Sequence, residues 1–153
     1  MRRALYPGSF DPVTLGHVNI LTRALPLFDE IVLAVGRHHE KSAMFPLETR
    51  LAWLRAVADE MPGVRVEAYE GLTRDFAVKC GAGFLLRGIR NGGDFEYERT
   101  IAQTHRKLIP SVETVVLLTD PEFAHIQSTV VRDLMRNGGD VSGFVPAVVL
   151  YGA

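Results

Sequence analysis

The stretch YPGSFDPVTLGH, residues 6–17, constrains the fold more than any other part of the chain. It follows a short apolar run, Ala4-Leu5-Tyr6, and precedes an amphipathic run with Val18, Leu21, Ala24 and Leu25. That order reads as strand, turn-rich loop, helix. Pro7, Gly8, Asp11 and Pro12 are turn formers, each for its own backbone reason. The loop closes on Thr14-Leu15-Gly16-His17, where the helix is expected to begin. A helix N-terminus carries unpaired N–H groups and the positive end of the macrodipole, so it attracts phosphate. Gly16 lets a ligand approach the backbone closely. His17, in the first turn, can donate a hydrogen bond to a phosphate oxygen. One reading is a turn that only joins two elements. The other is a ligand site at the C-terminal edge of the first strand, where open α/β sheets bind their ligands.

The remaining chain repeats the strand–helix alternation. Residues 30–36, EIVLAVG, are almost continuously apolar, as a strand buried on both faces of a parallel sheet must be. A polar loop covers residues 37–45. Leu47, Leu51, Leu54 and Val57 or Ala58 then recur at helical spacing and stop before Pro62-Gly63. Trp53, on this helix, is read as core or interface. Residues 64–69 alternate as a strand, 72–80 form a short helix stopped by Gly81, and 83–87 form a fourth strand. The run 88–93 reads as a flexible loop and 95–108 as a long charged helix. Residues 113–118 are a fifth strand, 119–128 a loop, 129–136 a helix and 146–151 a short last helix. This alternation predicts an α/β fold with a parallel five-stranded sheet and right-handed crossovers. No internal repeat or linker interrupts it, so residues 1–153 are expected to form a single domain.

The bulk numbers exclude several classes. With 47% apolar and 23% charged residues, the chain has an ordinary globular composition and enough length for a real core. A net charge of −1 leaves no electrostatic footprint for nucleic acid or an acidic membrane. The single cysteine, Cys80, cannot form an internal disulfide and is expected to be a small buried apolar residue in a reducing compartment. No targeting segment is visible, and the apolar runs are far below the ~20 residues that a spanning helix needs, so a cytoplasmic location is expected.

Three further stretches carry chemistry. Lys41 lies in the loop after the second strand, on the same sheet edge as His17; many loop lysines are simply solvated. Beside it, His38 and His39 lack the spacing and partners of a metal site, and no metal ligand is assigned. Arg87-Gly88-Ile89-Arg90 leaves the fourth strand with two guanidinium groups able to converge on one anion, a geometry suited to phosphate. The alternative is a pair of arginines held in ion pairs. Residues 123–129, FAHIQST, lead into the helix after the fifth strand, with Ser128 and Thr129 as N-cap candidates. Capping and phosphate binding are compatible there.

GSFDPVTLGH resembles the signature of nucleotidyltransferases with an HxGH-type motif. With YPG before it, and with RGIR followed by DFEYE at 94–98, the chain resembles the bacterial phosphopantetheine adenylyltransferase family over nearly its whole length. Thr14 stands at the first position of HxGH, the usual variant in this branch. The resemblance implies a Rossmann-like, doubly wound sheet with helices on both faces. It implies adenylyl transfer from ATP to 4′-phosphopantetheine, giving dephospho-coenzyme A and pyrophosphate, with Mg²⁺ arriving on the nucleotide. A homo-oligomer, typically a hexamer, is implied as well.

By resemblance, His17 and Lys41 are catalytic. Ser9, Phe10, His17, Gly88, Ile89, Arg90 and Glu98 lie with ATP, as do Phe123, Ala124, His125, Ile126, Gln127, Ser128 and Thr129. Ser9, Lys41, Thr73 and Arg87 lie with phosphopantetheine. The chain departs from the pattern at several positions. Arg37-His38-His39 replaces an Asn-Pro pair before Lys41, and Gln127 replaces the first serine of ISST. Thr73 stands where an apolar residue is usual against the pantetheine arm, and His105 where an asparagine can occur.

The attacking group would be a phosphate monoester with a second pKa of about 6, already ionised near neutral pH. No general base and no nucleophilic side chain is then required, which agrees with a sequence that offers no convincing triad. Rival readings are another nucleotidyl transfer on the same scaffold and a non-catalytic nucleotide sensor. RGIR with DFEYE argues against the first; Ser9, His17 and Lys41 together argue against the second. Class I aminoacyl-tRNA synthetases share HxGH but need more chain, and no KMSKS string is present.

Overall fold

The computed structural model describes residues 1–37 and 42–151. Five parallel strands form one sheet in the order β3-β2-β1-β4-β5. They are β1 (Arg3–Gly8), β2 (Glu30–Gly36), β3 (Val64–Tyr69), β4 (Phe84–Ile89) and β5 (Glu113–Leu118). The helices are α1 (Leu15–Ala24), α2 (Leu47–Ala58), α3 (Thr73–Lys79), α4 (Gly92–Leu108), α5 (Ser128–Arg136) and α6 (Ala147–Tyr151). The chain winds outward from β1 to β3, then crosses back to place β4 on the other side of β1. That reversal makes β1 and β4 the switch point, where such sheets hold their ligands.

The period-two alternation of strand side chains sorts the core into two layers. Ala4, Tyr6, Ile31, Leu33, Val35 and Leu86 face the larger layer, with Ile20 and Leu21 of α1, Leu51, Trp53 and Leu54 of α2, Val131 of α5 and Val149 of α6. Leu5, Val32, Ala34 and Leu85 face the smaller one, with Tyr69 and with Phe76 and Ala77 of α3. Helices thus cover both faces, as the continuous apolar strands require. Cys80 sits half-buried at the margin of the smaller layer, its thiol 3.4 Å from the Ala77 carbonyl.

The β1–β4 seam is the irregular part of the sheet. β1 pairs with β2 along its whole length, from Arg3↔Glu30 to Gly8↔Val35. Against β4 it pairs only at Ala4↔Phe84 and Leu5↔Leu85. Beyond that point Pro7 has no N–H to offer. The Arg87 guanidinium reaches across instead and donates to the Pro7 carbonyl at 2.9 Å. The two strand ends therefore part into a crevice.

Three local expectations are corrected. β4 continues to Ile89, so Gly88 is a strand residue paired with Leu117 and not part of a loop. A Cβ on Gly88 would lie 2.8 Å from Ile20 Cγ1, so the missing side chain lets α1 pack close on the sheet. α4 begins at Gly92, because Asn91 caps it by accepting from the Asp94 N–H at 3.0 Å; the glycine run is helix, not flexible loop. Ser128 is the first residue of α5 and not its cap. Gln127 holds the cap position without a side-chain bond, and Ser128 Oγ donates to the Pro12 carbonyl at 3.0 Å.

Candidate active site

Two adjoining chambers open over the C-terminal ends of β1 and β4. One, of about 440 Å³, lies between the N-termini of α1 and α5 and is lined by Gly16, His17, Gly88, Arg90 and residues 126–129. The other, of about 470 Å³, is bounded by Ser42, Ala43, Tyr69 and Thr73 and by the α4 residues Tyr97, Ile101, Ala102 and His105. They share Pro7, Gly8, Ser9, Arg87, Glu98 and Arg132 as a common border. Two helix N-termini at one chamber, with arginines behind them, make a site for a polyanion.

His17 is held by the start of its own helix. Thr14 is the N-cap of α1, and its hydroxyl accepts from the His17 N–H at 3.4 Å. In return the Thr14 N–H donates to His17 Nδ1 at 3.0 Å. This is a capping box in which histidine takes the place usually held by glutamate or glutamine. The bond also assigns the tautomer. A ring nitrogen that accepts a backbone N–H carries no hydrogen, so the proton of the neutral ring sits on Nε2. The edges of Phe10 and Tyr6 flank the ring, with centroids 5.0 and 6.5 Å away. Burial, reinforced by the charges of Arg90 and Arg87, lowers the His17 pKa to about 4. The ring is therefore a neutral donor at neutral pH.

The arginines are held by carboxylates. Arg87 forms a two-pronged pair with Glu98, through Nε at 2.8 Å and Nη2 at 2.5 Å. Arg90 does the same with Asp94 at 2.8 and 3.1 Å, and its Nη1 also donates to the Ile126 carbonyl at 3.2 Å. The hydrogen bond from Arg90 keeps the Asp94 carboxyl below the usual carboxylate range. The ion-paired alternative is what the structure shows, and the two arginines also line the chambers, Arg87 both and Arg90 the first.

The other sequence-predicted residues divide between the chambers. Phe10, His17, Gly88, Arg90, Ile126, Gln127, Ser128 and Thr129 border the first only, Thr73 the second only, and Ser9, Arg87 and Glu98 both. Ile89, Phe123, Ala124 and His125 line neither. Ile89 is buried, Phe123 packs on the larger core and the His125 ring stands edge-on to Phe144. Lys41, His38 and His39 lie outside the described residues. His105 lines the second chamber; burial, with Arg87 and Arg74 nearby, lowers its pKa. Thr73 Oγ1 meets the Tyr69 hydroxyl at 2.7 Å, so its polar end is engaged and its methyl is left for an apolar neighbour. Among the described residues no group of three or more His, Cys, Asp or Glu is arranged to hold a metal ion.

Residues outside the sequence-predicted set also build the site. Asp11, Arg50 and Arg132 fix the loops around Ser9. Asp11 was legible only as a turn residue. Nothing local marks Arg50, on α2, as a residue that would be fully buried.

The fold and the site together are those of a Rossmann-like α/β protein with two adjoining chambers at its switch point. The cytidylyltransferase-like family matches residues 5–134. The phosphopantetheine adenylyltransferase of Flavobacterium psychrophilum is 51% identical, over 97% of this chain and 98% of its own. That of Lachnoclostridium phytofermentans is 44% identical, over 98% of this chain and 92% of its own. In fold, the chain is similar to a Vibrio parahaemolyticus protein assigned as a nicotinate-nucleotide adenylyltransferase, with a TM-score of 0.69, 19% identity and coverage of 97% and 96%. The chain belongs to the cytidylyltransferase-like family and, within it, to the phosphopantetheine adenylyltransferases.

Proposed function

We propose that this nucleotidyltransferase moves the adenylyl group of ATP to 4′-phosphopantetheine, forming dephospho-coenzyme A and pyrophosphate, the penultimate step of coenzyme A synthesis. The observation that carries this reading is the pair of chambers meeting at Ser9 and Arg87. ATP takes the chamber between α1 and α5. The acceptor takes the one under α4, its pantetheine arm along Thr73, Ile101 and Ala102 and its phosphate at the shared border.

An oxygen of the acceptor phosphate attacks the α-phosphorus in line. A phosphorus–oxygen bond forms, the α–β bridge breaks, and pyrophosphate leaves with the electron pair. The nucleophile is already ionised near neutral pH, so the protein supplies orientation and charge stabilisation. His17 donates through Nε2 to the α-phosphate, together with the N-terminus of α1. Lys41 adds positive charge there. Arg87 and Ser9 hold the acceptor phosphate, and Arg90 and residues 126–129 hold the nucleotide. Mg²⁺ arrives on the ATP phosphates as part of the substrate. The enzyme works in the cytoplasm as a homo-oligomer, a hexamer by resemblance.

Incubation with ATP, Mg²⁺ and a panel of phosphorylated acceptors tests the reading. Pyrophosphate release that depends on 4′-phosphopantetheine is expected. Release that is absent, or equally fast with unrelated phosphomonoesters, would overturn it.

A further inference from the structure

Asp11 is a carboxylate only 3% exposed, and its partners lie far along the chain. Oδ2 accepts from the Met44 N–H at 2.8 Å and Oδ1 from the Phe45 N–H at 2.9 Å. One carboxylate thus satisfies two successive amides of the segment after β2. The segment answers in the opposite direction. Arg50, at the start of α2 and fully buried, donates through Nε to the Phe45 carbonyl at 3.0 Å and through Nη1 to the Ser9 carbonyl at 2.7 Å. Arg132 of α5 closes the arrangement by donating to the Asp11 carbonyl at 2.7 Å.

The two loops are thereby tied by a carboxylate pointing one way and a guanidinium pointing the other. What they jointly hold is one wall of the larger chamber: Ser9 on one side, Ser42 and Ala43 on the other. A charged group this buried is costly unless its hydrogen bonds are made, so the clamp has a well-defined closed geometry. Residues 43–45 lie in no helix or strand; besides the clamp, the Phe45 ring stands edge-on to Trp53, with centroids 4.9 Å apart.

We propose that Asp11 and Arg50 are positioning residues for the acceptor. By clamping residues 42–45 to the Ser9 loop, they set the width of the acceptor chamber and leave the nucleotide chamber to α1 and α5. The proposal rests on the assignment of the larger chamber to the acceptor.

Asp11→Asn is the first test. An amide keeps one acceptor but turns an NH₂ group toward the second amide, so one bond is lost and the charge removed. The expected result is a KM for 4′-phosphopantetheine raised about tenfold or more, about 1.4 kcal/mol for each factor of ten. ATP affinity, measured directly by calorimetry, should stay within about twofold. Hydrogen exchange supplies a readout independent of turnover. The Met44 and Phe45 amides should exchange slowly in the native protein and much faster in Asp11→Asn. Arg50→Lys, which puts one nitrogen in place of the two that reach the Phe45 and Ser9 carbonyls, should change acceptor KM and exchange in the same directions. Equal loss of ATP and acceptor binding, or no change in acceptor KM, would overturn the proposal. So would fast exchange at Met44 and Phe45 in the native protein, a result that needs no variant to fold. If the native enzyme does not use 4′-phosphopantetheine, the functional reading fails on that measurement alone. The clamp is then decided by exchange: unchanged rates in Asp11→Asn would overturn it too.

Discussion

Arg87 and Glu98 face each other across the border of the two chambers, joined by a two-pronged ion pair at 2.8 and 2.5 Å. Glu98 is 7% exposed, and both of its carboxylate oxygens accept from this one guanidinium. An acceptor phosphate would compete with the Glu98 carboxylate for the same guanidinium fork.

The first prediction concerns that competition. Arg87→Ala should raise the KM for 4′-phosphopantetheine by tenfold or more and the KM for ATP only a few-fold. It should also lower stability, because removing one partner of a buried pair leaves the other uncompensated, at a cost of up to about 3–5 kcal/mol. The 31% exposure of the Arg87 side chain places the cost at or below the lower end. Adding Glu98→Gln should restore much of the stability and little of the acceptor affinity. Steady-state kinetics with thermal melts check both halves; equal KM effects on the two substrates would refute this division of labour.

Gly88 gives the second. An alanine there sets its Cβ 2.8 Å from Ile20 Cγ1, between β4 and α1, where both residues line the chamber between α1 and α5. Overpacking of this kind costs about 1–3 kcal/mol. Gly88→Ala should lower the Tm by several degrees, and Ile20→Ala in the same chain should relieve part of the clash. Melts that are additive for the two substitutions would show that the contact is not the cause.

The elements best read from sequence are those whose pattern admits one environment. A run such as EIVLAVG fits only a strand covered on both faces, and β2 starts and stops where that run does. Gly88 misled because a glycine after a strand reads as a breaker. Its true reason is tertiary, the closeness of Ile20, which lies far back in the sequence. Gly92 and Gly93 misled in the same way until the Asn91 cap is seen. The site shows the same boundary. The chamber-lining start of α1 was legible because a helix N-terminus with glycine and histidine is a local pattern. The clamp was not, since the Asp11–Phe45 and Arg50–Ser9 bonds span 34 and 41 residues and each residue taken alone looks like an ordinary turn or surface charge.

Assembly is the third prediction. β5 is the terminal strand of the sheet, and Leu118 and Val116 on it are exposed, as are Phe95, Tyr97 and Leu108 of neighbouring α4. A terminal strand carrying apolar side chains is a natural pairing surface. Light scattering should give a multiple of the 16.9 kDa chain mass, and Leu118→Lys should shift it downward. A mass of one chain across micromolar concentrations would end the idea.

The last prediction concerns His17. Its Nδ1 is occupied by the Thr14 N–H, so the one N–H of the neutral ring is at Nε2, and its pKa of about 4 keeps the ring neutral. It is therefore expected to act as a donor and not as a base. Losing one such donor in the transition state costs about 10²–10³ in kcat. His17→Ala should lose that much while its KM for ATP stays within a few-fold. It should also lose about 0.5–2 kcal/mol of stability, since half of the capping box goes with it. His17→Gln should recover part of both losses, because its amide can reach back to the Thr14 N–H and still present a donor. The pH dependence follows from the sign of the shift. Between the ordinary value of 6.5 and about 4 the unfolded chain takes up a proton that the folded chain refuses. His17 then lowers stability as pH falls through that window, a slope that should be absent in His17→Gln. Nitrogen-15 NMR of the ring should show a bare Nδ1 and a protonated Nε2, unchanged from pH 8 to pH 6. Normal turnover in His17→Ala would remove the residue from the mechanism. A ring titrating near 6.5, or a kcat that tracks such a titration, would make it a base and the donor role wrong.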